Sequence, residues 1–271
     1  MTPKLVATDL DGTLVRSDET VSARSHETLK RLAGRGVTVV GVTGRGPRLR
    51  ELCRVDVPSA DYLVLAQGGF IYEYGPGGAV VEHRATLMPG SQVSEVVKLV
   101  ERETGPLSVF VEADPGHESQ LLGDVSPEWP YPIPITPCER DEALDNELVK
   151  AYLSSDKIPA LELLELARRI APPQWCGFTE SGIGFVEVCP PGVDKGTGLA
   201  QVASQLGVEP RDVLVFGDAL NDLPMFAWAG RSVAMAGAHP SVKAAADEIT
   251  VANDEDGVAI YLERVFGELA S

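Results

Sequence analysis

Five short, strongly apolar segments set the rhythm of the first and last parts of the chain: Leu5–Thr8, Val37–Val42, Tyr62–Ala66, Val213–Phe216 and Ser232–Met235. Each is too short for a buried helix and rich in β-branched residues, so each predicts a buried strand. Stretches of helical spacing separate them. Val21, Leu29, Leu32 and Ala33 share one face of a helix predicted over 21–35, which stops at Gly34-Arg35-Gly36. Further helices are predicted over Pro47–Arg54, Asp194–Leu206 (Asp194 as N-cap), Leu223–Ala229, Ser241–Ala246 and Gly257–Leu269. This strand–helix alternation predicts an α/β fold, a doubly wound Rossmann-like parallel sheet.

Between these parts the pattern changes. Gly68–Val81 reads as a hairpin, Ser91–Thr104 and Ala160–Ile170 as helices, and Ser108–Val111, Leu148–Leu153, Trp175–Thr179 and Gly184–Val188 as strands. Ala113–Asn146 carries Pro115, Pro127, Pro130, Pro132, Pro134 and Pro137 and fits no single regular element. The mixture is α+β. The expected organisation is a discontinuous core, residues 1–83 and 187–271, with an inserted domain over 84–186. No internal repeat is visible.

Composition narrows the function classes. The 271 residues are 44% hydrophobic, ample for a packed core, and carry a net charge of −17. Such a surface repels a phosphate backbone, which argues against nucleic-acid binding, yet a nest of donors and a cation can still admit a small anion. Cys53, Cys138, Cys176 and Cys189 form no C-x-x-C pair and read as free thiols. No apolar run approaches a membrane span and no leader-like segment opens the chain, so a cytoplasmic location is expected.

The candidate chemistry lies at strand ends, where doubly wound sheets bind ligands. Asp9 and Asp11 follow the first strand, and Gly12 permits a sharp turn before Thr13. Asp218, after Gly217, closes a later strand. Like charges so placed are expensive unless a cation or proton intervenes, and Asp9, Asp218 and a backbone carbonyl form a hard oxygen set suited to Mg²⁺. Thr43 and Gly44 can hold phosphate oxygens or simply cap a helix. Lys195 stands at a helix start, where a cation opposes the dipole, although a surface lysine is ordinarily just solvated. Asn221 and Asp222 can be loop polars, or can orient Lys195 and the metal's waters.

Taken together, Asp9-Leu10-Asp11-Gly12-Thr13, Thr43, Lys195 and Gly217-Asp218-Ala219-Leu220-Asn221-Asp222 resemble the motifs of the haloacid dehalogenase-like phosphatases, in order and over the whole chain. The insertion, and Phe185–Val188 leading into Gly192–Gly196, resemble the Cof-type subfamily with its large α/β cap. The resemblance implies Asp9 as nucleophile and Asp11 as general acid and base. It implies Mg²⁺ on Asp9, Asp218 and the Asp11 carbonyl, and Thr43, Gly44, Lys195 and Asn221 around the phosphate, with Asp222 behind them. It implies hydrolysis of a small phosphorylated metabolite, such as a sugar phosphate, with the cap setting specificity. A phosphomutase of the same superfamily is the alternative, and a non-catalytic phosphometabolite-binding protein a second. The subfamily shows Asn-Gly-Ala after its third strand, where this chain has Gln67-Gly68-Gly69, so the role of that loop stays open.

Overall fold

A computed structural model describes residues 2–113, 119–129 and 133–267. In chain order its elements are β1 (Leu5–Thr8), α1 (Ala23–Gly34), β2 (Thr38–Val42), α2 (Arg50–Asp56), β3 (Tyr62–Leu65), β4 (Phe70–Tyr74), β5 (Val80–Ala85), β6 (Met88–Pro89), α3 (Gly90–Thr104), β7 (Ser108–Ala113), β8 (Gln120–Gly123) and β9 (Thr136–Pro137). They continue with α4 (Arg140–Ala143), β10 (Glu147–Ser154), α5 (Ala160–Ile170), β11 (Gly177–Thr179), β12 (Val186–Cys189), α6 (Lys195–Leu206), β13 (Val213–Gly217), α7 (Leu223–Trp228), β14 (Arg231–Ala234), α8 (Pro240–Ala245), β15 (Glu248–Ile249) and α9 (Gly257–Phe266). The chain divides into two compact units. The first comprises Met1–Gly44, Leu49–Arg84 and Lys195–Ser271, the second Arg45–Arg48 and Ala85–Asp194.

The first unit is built on a sheet of order β15-β14-β13-β1-β2-β3-β4-β5. The pairs β1–β2, β2–β3, β1–β13, β13–β14 and β14–β15 are parallel. The pair β3–β4 is antiparallel, with Tyr62 opposite Glu73. The chain winds outward from β1 through β2 and β3, then starts again at β13 and winds the other way. The reversal lies between β1 and β13, and the crevice beyond their carboxyl ends is where such a sheet admits a ligand. The apolar runs are fully buried, as a sheet covered on both faces requires: Leu5, Val6, Ala7, Leu214, Val215 and Phe216 are all inaccessible.

Local chemistry explains the boundaries. The Ser22 side chain accepts from the Ser25 amide and starts α1, whose Leu29 and Leu32 enter the core. The helix expected over 47–54 is a 3₁₀ turn at Pro47–Leu49 leading into α2. Strand β3 stops one residue before the predicted end, because Ala66 (φ 49°) and Gln67 (φ 59°) turn left-handed.

The second unit holds a sheet of order β11-β12-β10-β7-β8-β9, with β6 added beside β10. Helices α3 and α5 bring Val93, Val96, Val97, Val100, Leu163 and Leu164 into one core with Val109, Val111, Ala151, Leu153, Val186 and Val188. Alternate residues of the same strands project to the opposite face. There Phe110 stacks on Tyr152 at 4.5 Å with Phe185 and Trp129 edge-on, and buried Lys150 pairs with Glu187 at 2.7 Å. The proline-rich stretch yields the short elements β8, β9 and α4; residues 114–118 and 130–132, which include Pro115, Pro130 and Pro132, lie outside the described residues. Among the described residues no helix is long and apolar enough to cross a membrane.

Candidate active site

The carboxyl ends of β1, β2, β3 and β13 bring the sequence-predicted residues together within the first unit. Asp9 leaves β1 with its amide on the Phe216 carbonyl (3.0 Å), so the chain is still held to β13 at that residue. The next turn is tight. The amides of Thr13, Leu14 and Val15 all donate to the Leu10 carbonyl, and Gly12 adopts φ +77°. A Cβ at Gly12 would lie 2.5 Å from Oδ2 of Asp218, so only glycine permits this approach. Thr13 donates through Oγ1 to Oδ1 of Asp218 at 2.7 Å, tying the first motif to the fourth.

Lys195, the first residue of α6 and 1% exposed, is the electrostatic centre. Its Nζ donates to Oδ1 of Asp9 and to Oδ1 of Asp222, each at 2.6 Å. Burial opposes its charge, but Asp222 and Asp9 outweigh it and hold the ammonium protonated well beyond its ordinary range. Asp222 is committed elsewhere too: its Oδ2 accepts from the amides of Asp218 (2.8 Å) and Ala219 (3.0 Å). It thereby shapes the loop that presents Asp218.

Among the described residues, Asp9, Asp218 and Asp222 can each direct one carboxylate oxygen to within 4.8 Å of the others, the reach of one metal ion. Burial, then Asp222, raise Asp9 well above the ordinary carboxylate range against the pull of Lys195. The same two causes push Asp218 up to about 6. Three carboxylates against one ammonium leave two uncompensated negative charges, which a divalent cation matches. The oxygens of Asp222 are already taken by Lys195 and two amides, so Asp9 and Asp218 are the carboxylates with capacity for an ion. This donor set fits a hard cation with retained waters. Asp11 is half-buried in the turn and lies outside the group of three carboxylates.

Thr43 is fully buried after β2, its amide on the Val64 carbonyl at 2.8 Å. Gly44 follows, facing Asn221 and Gln67: a Cβ there would lie 2.6 Å from Nε2 of Gln67 and 3.7 Å from Nδ2 of Asn221. Thr43, Gly44, Lys195 and Asn221 thus belong to one unit with Asp9, Asp11, Asp218 and Asp222. Sequence reasoning gave no role to Gln67, which occupies the middle of this group. The signal for it in the sequence is its place in the loop after the third strand, where Gln67-Gly68-Gly69 departs from the Asn-Gly-Ala of the subfamily.

The profile of the haloacid dehalogenase-like hydrolases matches residues 6–262. The chain is 27% identical to the 5-amino-6-(5-phospho-D-ribitylamino)uracil phosphatase YwtE of Bacillus subtilis (strain 168), over 97% of this chain and 98% of that protein. Among solved structures, a haloacid dehalogenase-like hydrolase from Bacteroides thetaiotaomicron superposes with a TM-score of 0.74 at 27% identity, covering 98% of this chain and 100% of the other. The subclass IIB sugar phosphatase BT4131 superposes with a TM-score of 0.77 at 25% identity, over 97% of this chain and 99% of that one.

Proposed function

The chain belongs to the haloacid dehalogenase-like hydrolases and is a phosphatase-type enzyme, and on that premise we propose that it is a Mg²⁺-dependent phosphatase of a small phosphorylated metabolite, a sugar phosphate or related monoester. The observation that carries the reading is Lys195, buried and bridging Asp9 to Asp222 beside Asp218. A carboxylate so close to others is an awkward structural group, but it is a useful nucleophile once phosphate and a cation share the site.

In this reading Asp9 attacks phosphorus in line. The new bond joins its carboxylate oxygen to phosphorus as the bond from phosphorus to the leaving oxygen breaks. Asp11 gives its proton to that oxygen, releasing the alcohol. The Asp11 carboxylate then takes a proton from water, whose oxygen attacks phosphorus, freeing Asp9 and inorganic phosphate. Lys195 fixes Oδ1 of Asp9 and, with Thr43, the Gly44 amide and Asn221, holds the phosphate oxygens, so that positioning and charge do most of the work. Asp9, Asp218 and the Asp11 backbone carbonyl are the groups that would hold Mg²⁺, which supplies neutralisation of phosphate charge. Asp222 keeps Lys195 and the Asp218 loop in register.

The inserted domain, expected over 84–186 and found within the unit formed by Ala85–Asp194 and Arg45–Arg48, is assigned the role of choosing the leaving group. The relatives named as phosphatases of 5-amino-6-(5-phospho-D-ribitylamino)uracil make a phosphorylated ribityl compound one member of the substrate panel to be screened, beside hexose and pentose phosphates. The test is release of inorganic phosphate from that panel with Mg²⁺. Turnover of one or more members is expected; no release from any of them, nor from para-nitrophenyl phosphate, would overturn the reading.

A further inference from the structure

The turn after β3 is strained in a way the fold does not demand. Ala66 and Gln67 are consecutive non-glycine residues at φ 49° and 59°, a region that favours glycine, although Gly68 and Gly69 stand immediately beyond. Strain of this kind persists where the surroundings hold it and a side chain is needed. The surroundings here are firm. The Gln67 amide donates to the Thr43 carbonyl at 3.1 Å, and α6 backs the turn so closely that a Cβ at Gly198 would meet Cα of Gly68 at 2.7 Å.

Gln67 is 1% exposed. Its Oε1 accepts from Nδ2 of Asn221 at 3.2 Å, and its Nε2 lies against Gly44. One carboxamide therefore braces two of the phosphate-handling elements at once. Among the described residues Asn221 has no other hydrogen-bonding anchor for its side chain: its Oδ1 is buried without a partner there, so the contact to Gln67 sets its rotamer and leaves its second amide hydrogen for a ligand.

We propose that Gln67 is a positioning residue of the phosphate cradle, its left-handed backbone and buried carboxamide holding Asn221 against the Thr43-Gly44 loop. This rests on the phosphatase reading above. It also gives a role to the Gln67-Gly68-Gly69 segment that the sequence left open.

The experiment is a double-mutant cycle of Gln67→Gly and Asn221→Ala, read as kcat/KM for para-nitrophenyl phosphate with Mg²⁺ and as Tm. Glycine suits φ 59°, so Gln67→Gly is expected to keep its Tm within about 3 °C of wild type. It is expected to lose about tenfold or more in kcat/KM, the loss of one hydrogen bond that fixes a phosphate contact. In the Asn221→Ala background the same change is expected to have little further effect, because Gln67 acts through Asn221. Gln67→Asn, which also tolerates positive φ but withdraws the carboxamide by one carbon, is expected to show a smaller loss with the same non-additivity. Wild-type kcat/KM in Gln67→Gly, or losses that multiply in the cycle, would overturn the proposal; a fall in Tm with kcat/KM unchanged would show a merely structural role. Failure of the wild type itself to release phosphate refutes the phosphatase reading instead, and this inference with it.

Discussion

Replacing Lys195 by methionine probes the centre of the site, because it removes the positive charge paired with Asp9 and Asp222 and little volume. In the folded protein Lys195 lies between Asp9 and Asp222 at 2.6 Å each and is almost wholly buried. Removing one partner from a buried ion pair leaves the others uncompensated, which costs about 3–5 kcal/mol. For a domain of this size that corresponds to a Tm lower by roughly 6–20 °C. The penalty should depend on pH. Asp9 and Asp218 already have raised carboxyl pKa values, through burial first and Asp222 second, and Lys195 pulls both down. A group raised in the folded state contributes stability that is complete below its unfolded value, and that stability is lost as pH rises through the folded value. Without Lys195 the folded values climb further, so the deficit should widen from about pH 5 to about pH 7. A divalent cation binding only the folded state should recover part of it. Thermal melts of wild type and variant at both pH values, with and without Mg²⁺, measure all three effects. A Tm within about 2 °C of wild type at neutral pH without divalent cation would refute the view that Lys195 compensates this cluster.

Asp9→Asn should abolish turnover of para-nitrophenyl phosphate while leaving Tm unchanged or higher at neutral pH, since it removes one of the repelling carboxylates; activity equal to wild type would refute the nucleophile assignment. Gly12→Ala places a methyl 2.5 Å from Oδ2 of Asp218 in a left-handed turn and should displace that carboxylate, raising the Mg²⁺ concentration for half-maximal activity by about tenfold or more in a metal titration. The thiols should be silent in the native state: burial pushes Cys176 up to about 12 and Cys189 further, so iodoacetamide at about pH 8 should label both only after urea unfolding, as peptide mapping would reveal.

Much of the core and its site is legible in the sequence for a topological reason. A parallel sheet places the ends of β1, β2 and β13 side by side, so acids and a threonine after apolar runs can be assigned to one crevice without knowing any distance. Lys195 is less legible, since nothing local distinguishes a buried lysine from a solvated one. Lys150 misleads in the same way: in the alternation Leu148-Val149-Lys150-Ala151-Tyr152 a charge suggests a wet face, yet it is buried on Glu187. Gln67 escaped because glutamine is not a turn residue and only the fold makes its φ positive. The elements β8, β9, α4 and β15 escaped because proline and two-residue strands leave no period to read.

Strand β1 also has a consequence for the making of the molecule. On one side it pairs with β2, made soon after it, but on the other with β13, whose residues follow some 208 positions later. A comparable interval, 186 positions, separates Asp9 from the lysine that steadies it. On the ribosome the amino-terminal segment must therefore keep an apolar edge unpaired while the whole insertion is synthesised. Closing so long a loop is slow, and an exposed edge meanwhile invites wrong partners. The cluster of Asp9, Lys195 and Asp222 cannot be assembled in a truncated chain, so the activity proposed for it must wait until the last third of the molecule has joined the sheet.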